Sequence, residues 1–380
     1  MCMRVPSSFQ DHFVSLTDPR SSHAPNQRHE LLDILVIAVC AVICGADGWE
    51  DLEEYGKAQA DWFAEVLDLP HGIPGHDTFR RVLSRLDPDE LAQCFLSWTA
   101  ALSDLSGGDI VAIDGKTLRR SYDRRSAKAA IHMVSAWATY NRVVLGQLKT
   151  EEKSNEITAI PELLKVLDVS GCIVTIDAMG CQKAIAEQIV EQEAEYVLAL
   201  KQNHGTLYAA VVQQFAEAHH TPSEKSTLQA YETEEQRHGR VEIRRHWTLE
   251  APQDLVQKDA WAQLRCLGMV ESERHLQDEV TIEQRYYLAS LPNDVKQFAY
   301  AVRAHWGIEN CVHWVLDVAF REDESRVRLG HAPENLAVLR PIALNLLRQD
   351  TSTKLGIHNK RLKAGWDDAY LANLIFGHTF

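Results

Sequence analysis

Two apolar, β-branched runs that each stop at an aspartate constrain this chain more than any other feature. One is V-A-I-D-G-K-T, with Asp114 at its polar end; the other is C-I-V-T-I-D-A-M-G-C-Q, with Asp177. A buried strand that ends on an acidic residue and enters a small-residue turn delivers a carboxylate to the edge of a sheet. The aspartates lie 63 positions apart (177 − 114), far enough for two such strands to come side by side. Paired carboxylates without a Cys/His cluster favour a hard, oxygen-seeking ion such as Mg2+. Two-metal phosphoryl chemistry is the expected use of such a pair.

The pattern around the two runs predicts the fold. Strand-like segments at 109–114, 131–139 and 142–149 are followed by a helix at 156–168, a strand at 172–177, a helix at 181–193 and a strand at 195–200. That β-β-β-α-β-α-β order matches a ribonuclease H-like mixed sheet, in which the first and fourth strands are neighbours. Asp114 is expected to end the first and Asp177 the fourth, so pattern and chemistry agree. Glu156, in K-S-N-E-I, reads as a helix N-terminal residue capped with Ser154 or Asn155.

The flanking regions differ in character. Residues 1–26 are polar and Pro/Ser-rich and read as a flexible segment. Residues 27–106 read as a helical domain. Its most apolar helix ends on Gly45, a plausible C-cap; a Gly/Pro turn then precedes a helix capped near Asp77 that carries Arg80, Arg81 and Arg85, and another helix begins at Pro88. A turn followed by a basic helix is the arrangement of a helix-turn-helix reader, which makes Arg80 and Arg81 candidate DNA contacts. A solvated Arg face on a helical bundle is the competing reading. Residues 107–221 and 293–350 read as the mixed-sheet domain, 222–292 as a strand-rich insertion before a C-terminal helical block, and 351–380 as a C-terminal tail.

Composition sets outer bounds. A hydrophobic content of 45% and a charged content of 24% are those of an ordinary globular protein. The net charge of −15 argues against a uniformly basic nucleic-acid binder and leaves room for a local basic groove. The eight cysteines are scattered with no C-x-x-C pair, as expected for reduced, buried thiols rather than a zinc module. The N-terminus has no signal-peptide pattern, and the longest apolar stretch is too short to span a bilayer, so a cytoplasmic protein without membrane contact is expected.

A third acidic residue would complete a two-metal cage, and Glu309 is the best candidate. It lies in R-A-H-W-G-I-E-N-C-V-H-W, where helical spacing puts His305, Glu309 and His313 on one face. The histidines read as structural or DNA-contacting rather than as metal ligands, and Trp306 and Trp314 read as core residues. Here the chain resembles insertion-sequence transposases of the ISAs type, whose relatives include the H-repeat-associated proteins of Rhs elements. The segments that carry the resemblance include H-E-L-L-D-I-L, C-G-A-D-G-W-E-D-L-E-E-Y-G, G-I-P-G-H-D-T-F-R-R-V, A-I-D-G-K-T-L-R-R-S, E-K-S-N-E-I-T-A-I-P-E-L-L, T-I-D-A-M-G-C-Q, Y-V-L-A-L-K-Q-N and H-W-G-I-E-N. They run from about Arg28 to the last helices.

The resemblance implies a DDE recombinase whose acidic triad is Asp114, Asp177 and Glu309, binding two Mg2+ or Mn2+ ions. It implies cleavage at the terminal inverted repeats of a mobile element, attack of the freed 3′-OH on target DNA, action as a homodimer on DNA, and association with the nucleoid when bound. Tyr300, Arg303 and W-G-I-E fit the wider superfamily's Tyr-x-x-Arg…Glu…Lys signature, with a longer Arg-to-Glu gap. Leu316 stands where its Lys would fall, which leaves Lys201 or Arg321 to supply a cation. Lys116, Lys201 and Arg303 are the expected phosphate contacts near the site. The competing readings are a catalytically inactive or domesticated DNA-binding relative and a metal-dependent nuclease without strand transfer.

Overall fold

The computed structural model describes residues 9–20, 27–103, 105, 107–122, 130–150, 156–220, 227–237, 240–276 and 279–377. The first helices are α1 (Phe9–Phe13), α2 (Leu31–Cys44), α3 (Trp49–Ala58), α4 (Ala60–Val66), α5 (His76–Leu83) and α6 (Pro88–Leu102). Strands β1 (Ile110–Thr117), β2 (His132–Ala138) and β3 (Val143–Lys149) follow, then α7 (Glu156–Val166), β4 (Ile173–Ile176), α8 (Lys183–Glu191), β5 (Glu195–Leu200) and α9 (Gly205–His220). Four long strands come next: β6 (Gln229–Arg237), β7 (Arg240–Glu250), β8 (Cys266–Leu276) and β9 (Glu279–Ala289). The later helices are α10 (Val295–Ile308), α11 (Trp314–Val318), α12 (Ala332–Gln349), α13 (Ile357–Trp366) and α14 (Asp368–Phe376).

Among the described residues the sheet has nine strands in the order β3-β2-β1-β4-β5-β9-β8-β7-β6. This is the ribonuclease H-like mixed sheet expected from the sequence, lengthened by the four inserted strands. By internal packing the chain divides into two units, one of Met1–Asp104, Gly115–Ser154 and Glu309–Phe380, the other of Leu105–Asp114 and Asn155–Ile308. Strand β1 passes from the second unit to the first between Asp114 and Gly115.

In the second unit, β4 pairs in parallel with β1 on one side and with β5 on the other, and β9 runs antiparallel to β5. All four residues of β4 are buried, the mark of a strand with no solvent face. Phe298, Ala301 and Val302 of α10 pack into one core cluster with Ile110, Ile173 and Val197 of three neighbouring strands. Helix α7 is tied to α8 by Gln188 and Gln192, whose side-chain amides donate to the carbonyls of Pro161 and Leu164.

In the first unit, α2 is buried on every side; Ile34 through Ala41 are each 0% exposed. Gly45 ends it in the left-handed region (φ 115), as its position predicts. Buried Arg361 donates to the carbonyls of Val42 and Ile43 in the last turn of this helix, where carbonyls run short of amide partners; the Val42 carbonyl also accepts from the Gly45 amide at 3.4 Å. A second buried helix, α12, carries two fully buried asparagines. Asn335 donates to the carbonyls of Leu83 and Leu86, and Asn345 exchanges hydrogen bonds with both backbone groups of Val144. Val144 lies beside a break in the β2–β3 register, where Trp137 faces Val144 and Ala136 faces Gly146. Leu145 is the extra residue, and its carbonyl accepts from the Thr99 hydroxyl. Side chains thus satisfy backbone groups at the bulge and beside it.

Several local expectations change. Within the segment read as flexible, Phe9 and Phe13 are buried and stack, and Phe9 meets Trp98 edge-on; the expectation for residues 1–8 and 21–26 lies outside the described residues. Helix α5 starts two residues earlier than a cap at Asp77 predicts. Its N-cap is Gly75, and the Glu53 carboxylate on α3 accepts from the His76 amide in place of a side-chain cap. The residues read as a C-terminal tail contain α13 and α14. Among the described residues no single helix is long and apolar enough to cross a membrane.

Candidate active site

The parallel pairing of β1 with β4 ends at Ile113 opposite Ile176. Asp114 and Asp177 are the next residue on each strand, so they leave the ladder in step, on neighbouring strands, both half-buried. Adjacent strands run about 4.8 Å apart, which brings the two carboxylates together. One detail differs from expectation. Strand β1 continues through Thr117, and Leu118 beyond it donates its amide to Ile131, so Asp114 lies within an extended strand rather than at its end.

A third carboxylate joins them. Oxygen atoms of Asp114, Glu156 and Asp177 all lie within 4.8 Å of one another. Glu156 opens α7 and is only 8% exposed. Reading it as an ordinary helix N-terminal residue missed this; the capping arrangement with Ser154 or Asn155 lies outside the described residues. A signal was present: Ala159 and Ile160, three and four residues on, are buried, which puts Glu156 on the inward stripe of the helix. This all-carboxylate donor set fits a hard divalent cation of the Mg2+ or Mn2+ kind.

The turn after Asp177 is fastened from two directions. One oxygen of Asp177 accepts from the amides of Met179 (2.9 Å) and Gly180 (3.3 Å). From the segment after β5, Asn203 donates to the Ala178 carbonyl at 2.9 Å and His204 to the Cys181 carbonyl at 2.6 Å. These contacts give Y-V-L-A-L-K-Q-N and the histidine after it a structural task that sequence reading did not assign. Burial, with the Asp177 charge beside it, pushes the Cys181 thiol up to about 12. His305 shares a hydrogen bond with the Thr175 hydroxyl, one strand residue away from Ile176.

Glu309 lies in the first unit, where Glu309–His313 form a π-helical turn after α10. The wider turn breaks the uniform helical spacing expected from His305 through His313. His313, 3% exposed, hydrogen-bonds the Glu309 carboxylate at 3.0 Å. That bond, aided by the Lys116 charge and opposed by burial, holds the Glu309 carboxyl below its ordinary value. Trp306 and Trp314 are not core residues: they are 41% and 59% exposed, and the Arg285 guanidinium stacks over the Trp306 ring.

The basic residues fall into different settings. Lys116 is largely buried, and its ammonium is hydrogen-bonded to Asp317 and, at 2.7 Å, to Glu322, whose carboxylate also faces Arg340. Burial would lower its pKa, but the two carboxylates outweigh it and raise it. Lys201 follows β5 and is exposed at the strand end neighbouring Asp177. Arg303 is ion-paired with Glu235 on β6, and Arg321 with Glu324 and Asp47. Arg80 is paired with Asp77. Arg81 lines a cleft of the first unit with Arg20, Arg28, Arg85, His29 and His71, and no carboxylate is among the described lining residues.

The family described as Transposase DDE domain matches residues 105–346, and the one described as DDE_Tnp_1-associated matches 10–99. The H repeat-associated putative transposase YhhI of Escherichia coli is 42% identical over 356 residues, covering 92% of this chain and 93% of that protein. A protein named putative transposase YncI, also from Escherichia coli, is 42% identical over 352 residues, covering 92% and 90%. The Escherichia coli protein named inactive transposase YbfQ is 49% identical over 57 residues, 15% of this chain and 68% of its own. With the in-step aspartates on a mixed sheet and this match over most of its length, the chain belongs to the DDE transposase family.

Proposed function

We propose that this protein cuts phosphodiester bonds at the ends of an insertion element and joins the freed 3′-OH to target DNA. The observation that carries the reading is the in-step placement of Asp114 and Asp177 on paired parallel strands, in a chain of this family. Asp114, Asp177 and Glu309 hold two Mg2+ or Mn2+ ions in this reading. Such a pair, when bound, lowers the pKa of an attacking water and stabilises a leaving 3′ oxygen.

The chain's own part is to hold and orient. Strands β1 and β4 set the spacing of two carboxylates, and the amides of Met179 and Gly180 fix the rotation of Asp177. His313 keeps Glu309 ionised. Lys201 and Arg303 contact backbone phosphates; Arg80, and Arg81 with the other arginines of its cleft, contact duplex DNA farther from the chemistry. Lys116 meets DNA only by exchanging Asp317 and Glu322 for phosphate. Two chains act together, because two ends must be joined.

A relative named as an inactive transposase motivates a second reading, DNA binding without cleavage. The test is Mg2+- or Mn2+-dependent cleavage of DNA bearing the element's terminal inverted repeats, with wild type beside Asp177→Ala. Metal-dependent nicking at the repeat end, lost in the variant, is the expected result. Specific binding by wild type without nicking refutes the enzymatic reading and supports the second.

A further inference from the structure

We propose that Glu156 is a fourth carboxylate of the metal site, touching a bound divalent cation alongside Asp114 and Asp177. The proposal rests on the reading that the two aspartates hold metal, and adds to it a residue from α7.

Three observations carry it. First, the oxygens of all three carboxylates lie within 4.8 Å of one another, a span that one cation's coordination shell covers. Second, Glu156 is 8% exposed. A glutamate that only complements a helix N-terminus does so from the solvent side and has no need of burial. Third, the side chain is delivered by a fixed element. Ile160, on the same stripe as Glu156, packs at Gly180 in the turn that carries Asp177, and Gln188 and Gln192 bind α7 to α8. Rigid helices and strands, not loops, are what hold a ligand constellation to tight tolerance.

Glu156 therefore supplies an oxygen donor and a negative charge to the cation held by Asp114 and Asp177. It transfers no proton and forms no bond to substrate in this proposal; it binds and positions the cation.

The experiment titrates Mn2+ into the full chain without DNA, and free Mn2+ is read by electron paramagnetic resonance. Wild type, Glu156→Gln and Asp177→Asn are compared, and each is also melted in EDTA. Glu156→Gln should weaken Mn2+ binding by at least the roughly tenfold that losing an outer-shell partner costs, or abolish one bound ion. The melt in EDTA checks that each variant is folded. Wild-type Mn2+ affinity and stoichiometry in Glu156→Gln, with binding weakened in Asp177→Asn, overturns the proposal and leaves the site reading intact. Unchanged binding in both variants overturns the site reading itself. Should Glu156→Gln not fold, Glu156→Asp keeps the charge and is titrated in its place. Mn2+ affinity weakened by the shorter side chain supports the proposal, and wild-type affinity and stoichiometry in a folded Glu156→Asp overturn it.

Discussion

Replacing Gly180 by alanine tests whether the turn after β4 is as tightly built as the hydrogen bonds imply. An added Cβ would lie 2.3 Å from Cγ2 of Ile176 and 2.7 Å from Cδ1 of Ile160. The Ile160 contact is with a chain end and yields by rotation. The Ile176 contact is with a branch methyl held by a stiff χ1 in a residue only 2% exposed, so the backbone must move instead. Overpacking of this kind costs about 1–3 kcal/mol. Alanine also restricts the unfolded chain, which returns roughly 0.4–1 kcal/mol where the conformation is compatible. The first effect wins, and a net loss of about 1–2 kcal/mol is expected. Because one Asp177 oxygen is bonded to the amides of Met179 and Gly180, the same movement displaces the carboxylate. Urea denaturation reads the first effect and Mn2+ titration the second. Gly205→Ala is the control: a Cβ there meets nothing within 4 Å, and the residue is already helical. Gly180→Ala with a wild-type urea midpoint and wild-type Mn2+ affinity would falsify the packing argument.

Other consequences are open to direct measurement. Asn345→Ala removes the donor and the acceptor that serve Val144, both buried; leaving two backbone groups unpaired should cost about 2–4 kcal/mol in denaturant unfolding, and a loss below 1 kcal/mol would contradict that accounting. Asp33, on α2, is raised to about 6 by burial and by the charges of Glu30 and Asp68. Between its unfolded value near 4 and 6, the folded state binds the extra proton, so stability falls as pH rises through this window. Asp33→Asn should therefore be more stable than wild type at pH 7.5, with the gap closing below about pH 4; an advantage that does not depend on pH would show that charge is not its cause.

How much was legible in the chain varies by element. The register of the two aspartates was readable because a parallel pair keeps a constant offset, and 113 pairs with 176 as 114 stands to 177. Run length and β-branching marked the strands of the mixed sheet, while Gly45 and Pro88 marked a helix end and a helix start. Glu156 was within reach through the buried stripe of α7, but a helix-opening glutamate has so common a solvent-side use that its inward position was passed over. Nothing local marks the π-turn at Glu309, the carboxylate that caps α5 from α3, or the two that neutralise Lys116.

What the sequence determined by itself is what backbone preference and side-chain periodicity encode within a dozen residues: the order of strands and helices, most inward faces, and the two strands that carry Asp114 and Asp177. Tertiary structure alone decided which distant side chain meets which. Asp317 and Glu322 take up Lys116 across some 200 positions of chain, Asn345 repairs a bulge in β3, and Glu156 reaches the two aspartates from α7. Charges and hydrogen-bond donors act over a few ångströms in space without regard to sequence distance, so their partners exist only once the chain has packed.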